Sequence, residues 1–264
     1  MKFAKMHGCG NDYIVVDGFR QKIEDIRLTA DRLCLRKYGI GADGLILLEA
    51  SPSVDAKMRI FNSDGSEAEM CGNGIRCAAR FLIVEGYAQS PVSLETAAGL
   101  RVVSACTLQG GTPGFEVDMG APVINDRRLL TFQGAVSISE IEGTPVSMGN
   151  PHFVVFVDAL EDFPVAECGS LIEKSSSFPE GTNVEFARIL DETALVQRTW
   201  ERGVGETLAC GTGASAVAAV AIRRGWVKSP LTVKLTGGDV GIRWDGKGSI
   251  FLSGEAVEVF RGEI

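Results

Sequence analysis

Two cysteines of this 264-residue chain, Cys71 and Cys210, hold the same position in two related segments. Residues 58–87 align without a gap on residues 197–226, and eight positions are identical where ordinary composition gives about two. A cysteine is a base as a thiolate and an acid as a thiol. If the two halves face each other, one cysteine could remove a proton from a carbon while the other returns a proton to its opposite side.

The offset between the two segments is 139 residues, and it holds outside them as well. It places Asn11 of GCGNDY on Asn150 of MGNPHF, for example. A register kept over so much of the chain indicates a duplicated fold. We therefore predict an N-terminal domain of residues 1–117 and a C-terminal domain of residues 118–254. The last strand, about residues 255–264, is expected to return to the first domain.

Each half has the pattern of strands around one helix. Short apolar runs such as KFAKMHG, DYIVVDG and GLILLEA are bounded by glycine or turn residues and predict strands. The expected helices run from about Asn73 to Glu85 and from about Thr212 to Arg224, and both are apolar on most faces. The charged stretch from Gln21 to Arg36 predicts a surface helix. The polar stripe of the first central helix is expected to comprise Arg76, Arg80 and Glu85.

A helix that is apolar on most faces needs strands on several sides of it. We therefore predict an α+β fold of two pseudo-symmetric domains. In each domain a curved, mostly antiparallel sheet wraps around the central helix.

Composition excludes several functional classes. The net charge of −8 and the lack of a basic run argue against nucleic-acid binding. The residues after Met1 do not resemble a signal peptide, and no apolar run is long enough to span a membrane, so we expect a cytoplasmic protein without membrane contact. Seven cysteines without a CxxC pair, together with only two histidines, favour reduced thiols and predict no metal site.

The motifs MCGNG and ACGTG lie where a strand is expected to give way to a helix. The first turn of a helix carries backbone N–H groups that have no partner within the helix. Such groups bind anions, including a substrate carboxylate, and they favour a nearby thiolate. Glycine beside each cysteine lets ligand atoms approach the main chain closely. One such motif is a weak signal, but two at duplicated positions indicate function.

Six segments, taken together, resemble the successive signatures of the diaminopimelate epimerase family. They are HGCGNDY, GIGADG, FNSDGSEAEMCGNGIRC, MGNPHF, FPEGTNVEF and ERGVGETLACGTGA. The resemblance implies an enzyme without a cofactor that interconverts LL- and meso-2,6-diaminopimelate, a step toward lysine and, in bacteria, peptidoglycan. It also implies the wrapped-helix fold in two pseudo-symmetric domains and, commonly, a homodimer.

The resemblance assigns roles to individual residues. Cys71 and Cys210 correspond to the two catalytic bases, and His152 and Glu201 to groups that assist proton handling. The substrate-binding positions are Asn11, Asn62, Gly72, Asn73, Asn150, Asn183, Glu201, Arg202, Gly211 and Thr212. Two positions depart from the pattern: Gly44 stands where some members carry a glutamine, and Thr212 stands where many carry serine.

Two thiols suit the difficulty of the reaction. The α-hydrogen of an amino acid is a very weak acid, and no lysine motif suggests a pyridoxal Schiff base that would spread the negative charge. Catalysis must then come from positioned bases and from helix-start amides aimed at the carboxylate. The sequence therefore predicts a small-molecule substrate and no cofactor.

Other interpretations remain open for single residues. Asn11, Asn62 and Asn150 are also good turn formers. His152 could be a strand-edge side chain, and Glu201 with Arg202 could be a solvated charge pair. Of the remaining cysteines, Cys34, Cys77, Cys106 and Cys168 are best explained as buried core residues, and the role of Cys9 is left open.

Three other functions compete with the epimerase. An amino-acid racemase of the proline-racemase type also uses paired CG motifs, but it would favour histidine where Asn73 stands. A thiol redox or metal-trafficking protein would show CxxC. A non-catalytic amino-acid-binding module would not need both cysteines.

Overall fold

The chain divides into two compact units in the computed structural model, which describes residues 1–68, 70–132 and 138–264. One unit comprises Met1–Asp118 and Ser253–Ile264, and the other comprises Met119–Leu252. The boundaries expected from the sequence differ from these by one and two residues. Residue 69, inside the motif FNSDGSEAEMCGNGIRC, lies outside the described residues.

The first unit contains two helices and nine strands among its described residues. The strands are β1 Lys2–Gly8, β2 Asn11–Asp17, β3 Gly44–Glu49, β4 Ala56–Asn62, β5 Glu67–Ala68, β6 Val92–Thr96, β7 Gly99–Thr107, β8 Pro113–Asp118 and, at the end of the chain, β19 Val257–Glu263. The helices are α1 Ile26–Leu33 and α2 Gly72–Val84.

Strand pairing in this unit follows the order β19-β1-β2-β3-β4-β6-β7-β8. All of these pairs are antiparallel except β2 with β3 and β4 with β6, whose connections contain α1 and α2 respectively. Helix α2 contacts β1, β2, β3, β4, β7 and β8, so the sheet curves around it. The apolar strand β3, GLILLE, lies near the middle of the order and is buried along almost its whole length.

The second unit repeats this arrangement. Its strands are β9 Val123–Ile124, β10 Arg128–Thr131, β11 Glu140–Ser147, β12 Pro151–Phe156, β13 Asn183–Asp191, β14 Ala194–Glu201, β15 Gly205–Thr207, β16 Leu231–Leu235 and β17 Gly238–Arg243. A further strand, β18 Phe251–Gly254, begins here and ends in the C-terminal segment of the first unit. The helices are α3 Val165–Glu173 and α4 Gly211–Arg223.

Strands β11, β12, β13, β14, β16 and β17 pair in that order, again with two parallel pairs, β12 with β13 and β14 with β16. Helix α4 contacts all six strands. Its sequence, GTGASAVAAVAIR, consists mainly of small side chains, which let the strands approach its backbone closely. The predicted α+β class and its two duplicated wrapped-helix domains are confirmed.

The duplication is visible at the level of single residues. Helices α2 and α4 are each 13 residues long and start 139 residues apart, since 211 − 72 = 139. Gly86 and Gly225, which are also 139 apart, follow the two helices with positive φ angles of 76° and 69°. A positive φ favours glycine, and a glycine in this conformation is a common way to end a helix.

Three details differ from the sequence-based expectation. Both central helices begin and end one residue earlier than predicted. The stretch from Gln21 to Arg36 forms a helix only over Ile26–Leu33, because the side chain of Asp25 caps the N-terminus by accepting from the Leu28 amide. Arg76 does not belong to an exposed polar stripe: it is fully buried.

None of the helices in the described part of the chain is both long enough and apolar enough to cross a membrane.

Candidate active site

Each central helix begins directly after one of the two cysteines. Cys71 is the N-cap residue of α2 and Cys210 is the N-cap residue of α4, and both have extended backbones with φ, ψ angles of −136°, 125° and −121°, 112°. An N-cap residue lies beside the backbone N–H groups of the first helical turn. The helix N-terminus therefore contributes a positive potential beside each cysteine. We call the two groups of residues around them the Cys71 half-site and the Cys210 half-site.

In the Cys71 half-site, a tyrosine and an asparagine from β2 contact the thiol. The hydroxyl of Tyr13 lies 2.9 Å from the Sγ of Cys71 and 2.5 Å from the Oδ1 of Asn11. The Oδ1 of Asn11 in turn lies 3.5 Å from the same Sγ and 3.5 Å from the Nδ2 of Asn73 on α2. These four side chains form one connected cluster at the start of the helix.

A charged network fixes the orientation of Asn11. Its Nδ2 donates to an oxygen of Asp43 at 2.8 Å, so its Oδ1 faces Cys71 and Tyr13. Arg36 binds both Asp43 and Asp12, and the buried Lys5 lies 2.7 Å from Asp12. Burial opposes the charge of Asp12, but hydrogen bonds from Lys5 and Arg36 outweigh it and lower the pKa of Asp12 to about 2.

A fully buried arginine supports the first turn of α2. Arg76 donates to the carbonyl of Gly72 at 2.9 Å and to the Oδ1 of Asn73 at 2.9 Å. It also donates to the carbonyl of Glu255 in the returning C-terminal segment at 3.1 Å. A Cβ atom added at Gly254 would lie 3.1 Å from the guanidinium carbon, so the backbone there leaves room for this side chain.

The Cys210 half-site is a chain of hydrogen bonds. The Sγ of Cys210 lies 3.4 Å from the hydroxyl of Thr212, which accepts from the Nδ2 of Asn150 at 3.3 Å. The Oδ1 of Asn150 lies 3.0 Å from the Nε2 of His152. The Nδ1 of His152 lies 2.8 Å from Glu185, and both of these side chains are completely buried. The carboxylate therefore orients the ring, and the ring orients the asparagine beside the helix start.

Burial, together with acidic neighbours, makes Cys210 a poor source of thiolate. Burial raises the pKa of Cys210 well above its usual value, and the charges of Glu201 and Glu185 add to this effect. The hydroxyl of Thr212 and the backbone amide of Gly213 oppose it only in part. Glu201 is held by the Thr207 hydroxyl, which donates to its Oε1 at 2.5 Å.

The duplication pairs residues of unlike chemistry in the two half-sites. Tyr13 and His152 are 139 residues apart and pair in the same register with β3 and β13 respectively, opposite Gly44 and Asn183. By the same offset, Ile46 corresponds to Glu185, and Arg76 corresponds to Ser215.

Equivalent glycines admit these unlike side chains. A Cβ at Gly74 would lie 3.2 Å from Ile46 and 3.3 Å from the Tyr13 ring, and a Cβ at Gly213 would lie 2.5 Å from the Glu185 carboxylate. The second glycine of MCGNG and of ACGTG therefore leaves space for the side chains that lie behind the cysteine.

Most of the residues predicted from the sequence lie in one of the two half-sites. Hydrogen bonds or close contacts connect Asn11, Cys71, Gly72 and Asn73 in the first, and Asn150, His152, Cys210 and Thr212 in the second. Gly211 is the first residue of α4.

Three predicted ligands have other local partners. The Nδ2 of Asn62 donates to the Ser66 hydroxyl in the turn after β4. Asn183 donates to the carbonyl of Pro151 and accepts from the amide of Arg202. The exposed guanidinium of Arg202 donates to the carbonyl of Glu180.

Tyr13, Glu185 and the supporting role of Arg76 are not marked by any of the sequence motifs. The duplication held a signal for Tyr13, because the offset of 139 places it on His152. No comparable signal marks Glu185, whose counterpart in the first half is the apolar Ile46. Its role depends on strand β13 lying beside β12.

Two cysteines outside the half-sites behave as core residues. Burial raises the pKa of Cys77 to about 12 and that of Cys34 to about 11. Both thiols are buried and protonated at neutral pH, as expected for residues that pack in the interior, and Cys168 is buried as well. The expectation is wrong for Cys106, which is only partly buried because β7 is open to solvent along most of its length.

Comparison with known proteins identifies the family of the chain. The family model described as diaminopimelate epimerase matches residues 3–125 and 144–259. A diaminopimelate epimerase of Methanococcus maripaludis strain C5 is 45% identical to the chain and covers 100% of it and 99% of its own length. Diaminopimelate epimerases of Moorella thermoacetica (45% identity, 99% of its length) and Acetivibrio thermocellus (42% identity, 98% of its length) also cover the whole chain.

Solved structures of lower sequence identity share the fold. A PhzF-family phenazine biosynthesis protein of Bacillus anthracis has a TM-score of 0.75 at 17% identity and covers 100% of this chain and 98% of its own. A hydroxyproline epimerase of Agrobacterium vitis has a TM-score of 0.72 at 20% identity and covers 99% of this chain and 91% of its own. Because the family model matches most of its length, and because full-length relatives are up to 45% identical to it, the chain belongs to the diaminopimelate epimerase family.

Proposed function

We propose that the protein epimerises LL-2,6-diaminopimelate to meso-2,6-diaminopimelate, with Cys71 and Cys210 as the two acid–base groups. It is an isomerase that serves lysine biosynthesis. The observation that carries the proposal is the pair of cysteines at the N-caps of duplicated helices, in a chain whose full-length relatives are named diaminopimelate epimerase. The two units are then its two epimerase domains.

The reaction moves two protons and consumes none. One cysteine, as the thiolate, takes the α-proton of the substrate, and the bonding electrons stay on the carbon. The other cysteine, as the thiol, gives its proton to the opposite face of that carbon. After one turnover the two cysteines have exchanged protonation states, so the reverse reaction uses the same groups.

The helix N-termini supply the electrostatic part of catalysis. Negative charge grows on the substrate carboxylate as the Cα–H bond breaks, and backbone amides already aimed at it stabilise that charge without reorganising. Gly72 and Asn73 in one helix, and Gly211 and Thr212 in the other, provide first-turn amides. Asn11 and Asn150, each held by further hydrogen bonds, are positioned to bind the reacting amino-acid end.

The far end of diaminopimelate carries a second ammonium and a second carboxylate. Selection of this substrate over shorter amino acids needs opposite charges placed for that end. The guanidinium of Arg202 is exposed and presents a planar fork that matches a carboxylate. We assign the distal carboxylate to Arg202, with Asn62 and Asn183 as further ligands and Glu201 near the ammonium group. A homodimer in the cytoplasm is part of the same proposal.

The decisive experiment follows the α-proton directly. The purified protein is incubated with LL-diaminopimelate in D₂O, and loss of the α-proton signal and formation of the meso isomer are followed by NMR. We expect both to occur, with deuterium entering at the inverted carbon, because the proton returned comes from a thiol that exchanges with solvent.

Two controls make the result specific. The double variant Cys71→Ser, Cys210→Ser should show neither exchange nor inversion at the same protein concentration. 4-Hydroxyproline, offered to the wild-type protein in the same assay, should remain unchanged. Inversion of 4-hydroxyproline without reaction of diaminopimelate would replace the proposal with a racemase of the proline type.

A further inference from the structure

The residue of the first unit that corresponds to His152 is a tyrosine in direct contact with a thiol. Tyr13 and His152 occupy equivalent positions of β2 and β12, each pairing in the same register with the next strand. His152 reaches Cys210 only through Asn150 and Thr212. The hydroxyl of Tyr13, in contrast, lies 2.9 Å from the Sγ of Cys71.

The hydroxyl of Tyr13 has one proton and two acceptors within reach. It lies 2.5 Å from the Oδ1 of Asn11 and 2.9 Å from the Sγ of Cys71. When Cys71 is a thiol, its own proton can go to Asn11 or to the tyrosine oxygen. When Cys71 is a thiolate, the sulfur can only accept, and the phenol proton then has a charged acceptor at hydrogen-bond distance. A hydrogen bond to a charged acceptor is stronger than one to a neutral amide.

The phenol remains a donor throughout the working pH range. Tyr13 is 4% exposed, and its burial, together with the nearby Cys71, raises its pKa well above the usual value. The titratable groups around it are Cys71 and Cys77 of α2 and Asp43 before β3. Cys77 stays neutral because burial raises its pKa to about 12, and Asp43 is bound by Arg36.

The backbone is shaped to keep the ring in this position. Gly74 and Gly44 both approach the ring so closely that a Cβ would lie 3.3 Å and 3.4 Å from it. The ring is thus confined between α2 and β3, and its hydroxyl points at the N-cap of the helix. Asn11, which fixes the hydroxyl from the other side, is itself held by Asp43 at 2.8 Å.

We propose that Tyr13 is a further catalytic residue, whose hydroxyl donates a hydrogen bond to the Cys71 thiolate and makes Cys71 the resting thiolate of the pair. This inference rests on the proposed function, in which Cys71 is a reacting group. The Cys210 half-site contains no equivalent direct donor from β12, and it places the carboxylates of Glu201 and Glu185 near the thiol instead. The resting charge therefore lies in the first unit and the resting proton in the second.

The test compares two substitutions of the same kind. Tyr13→Phe removes the hydroxyl that faces Cys71, whereas Tyr87→Phe removes a hydroxyl that donates to Asp17 at 2.8 Å elsewhere in the same unit. Iodoacetamide labelling is measured against pH, and peptide mapping by mass spectrometry reports Cys71 and Cys210 separately. Labelling does not require turnover, so it is independent of the substrate.

We expect Tyr13→Phe to move the midpoint of Cys71 labelling upward by about one pH unit, the size expected for one lost hydrogen bond to a charged group. The midpoint for Cys210 should not move. Turnover number should fall about tenfold, with the Michaelis constant within about twofold of the wild-type value, because the hydroxyl acts on the base rather than on substrate affinity. Tyr87→Phe should change none of these quantities, and thermal unfolding of both variants checks that they fold.

Each outcome decides one point. An unchanged Cys71 midpoint in Tyr13→Phe would overturn the inference, whether or not the enzyme is active. A shifted midpoint with unchanged turnover would overturn the catalytic role. A wild-type protein that fails the D₂O assay, but whose Cys71 labelling still depends on Tyr13, would overturn the proposed function and leave the hydrogen bond in place.

Discussion

The two half-sites have the same backbone arrangement but differ in the side chains that surround the thiol. Behind Cys71 lie the neutral hydroxyl of Tyr13 and the amide of Asn11. Behind Cys210 lie carboxylates, with Glu185 paired to the histidine that corresponds to Tyr13. Both cysteines occupy the same N-cap position of helices of equal length.

The contrast shows what a duplicated fold can keep and what it can change. The helix N-terminus is a property of the backbone, so duplication preserved the feature that attracts a carboxylate and a thiolate. The environment of each thiol depends on side chains of β2, β3 and their counterparts, which are free to diverge. The proposed mechanism needs one thiolate and one thiol, and we infer that the unlike surroundings of the two cysteines provide that difference.

The largest effect should come from the cysteines themselves. Cys71→Ser and Cys210→Ser should each lower the turnover number by about a thousandfold or more. A serine hydroxyl is a much weaker acid than a thiol, so it stays protonated at neutral pH and cannot accept the α-proton. Substrate binding should change little because the side chains are similar in size. Steady-state kinetics and calorimetric titration measure the two quantities. If either variant kept more than a few per cent of wild-type turnover, the two half-sites would not both be needed.

The next effect distinguishes the two glycines that follow the cysteines. Gly213→Ala places a Cβ 2.5 Å from the Glu185 carboxylate, whereas Gly74→Ala places one 3.2 Å from the flexible end of Ile46 and 3.3 Å from the Tyr13 ring, which small shifts can relieve. We expect Gly213→Ala to lower turnover by about a hundredfold, because it displaces the carboxylate that orients His152, and Gly74→Ala to lower it only a few-fold. Equal losses in the two variants would show that the Glu185–His152 pair has no special role. Both variants are purified to the same degree, and their circular dichroism spectra are compared to check that both are folded.

The third effect is on stability rather than on rate. Arg76→Ser introduces the residue that the second unit carries at Ser215, and it removes the buried guanidinium that donates to the carbonyls of Gly72 and Glu255. The free energy of unfolding should fall by about 2–4 kcal/mol, measured by urea denaturation. The matched variant is Ser215→Ala, which loses one hydrogen bond to Gly211 and should cost about 1 kcal/mol. A small loss for Arg76→Ser would mean that the first unit repacks around the missing side chain.

The fourth effect concerns the distal carboxylate of the substrate, which we assign chiefly to Arg202. Arg202→Lys loses the planar fork and should raise the Michaelis constant for diaminopimelate about tenfold while the turnover number changes little. The control is Arg188→Lys, since Arg188 pairs with Glu161 at the surface of the same unit. Unchanged kinetics for Arg202→Lys would move distal recognition to Asn62 or Asn183.

The smallest effect is a difference in pH dependence between the two thiols. Burial and the charges of Glu201 and Glu185 raise the pKa of Cys210, so its thiolate should appear only at a pH above the usual range for cysteine. Alkylation at neutral pH should therefore label Cys71 first. Glu201→Gln removes one negative charge and should lower the pH at which Cys210 is labelled, by less than one unit. A Cys210 midpoint that does not move would show that the charge of Glu201 plays no part in raising the pKa of Cys210.

The sequence predicts the central helices, many strands and the fold class of this protein, because the duplication shows the same pattern twice. The offset of 139 residues, with glycine after each cysteine, predicted the two central helices to within one residue and placed a cysteine at the start of each. Apolar runs such as GLILLE predicted strands because a run of this length that is buried on both faces suits the middle of a sheet. The α+β class and the family resemblance follow from these local patterns.

Only the tertiary structure decided which residues support the two cysteines. An arginine on a helix is usually exposed to solvent. Arg76 is buried because the returning segment at Glu255 covers it, and the carbonyl of Glu255 accepts a hydrogen bond from its guanidinium. Glu185 reaches His152 because β13 pairs in parallel with β12, and such a contact between residues 33 positions apart leaves no local mark. Tyr13 reaches Cys71 across 58 positions because β2 packs against α2, and this contact leaves no local mark either. Local sequence determines helix ends and strand periodicity, whereas the protonation of a thiol depends on whatever the fold brings to within about 3–4 Å of it.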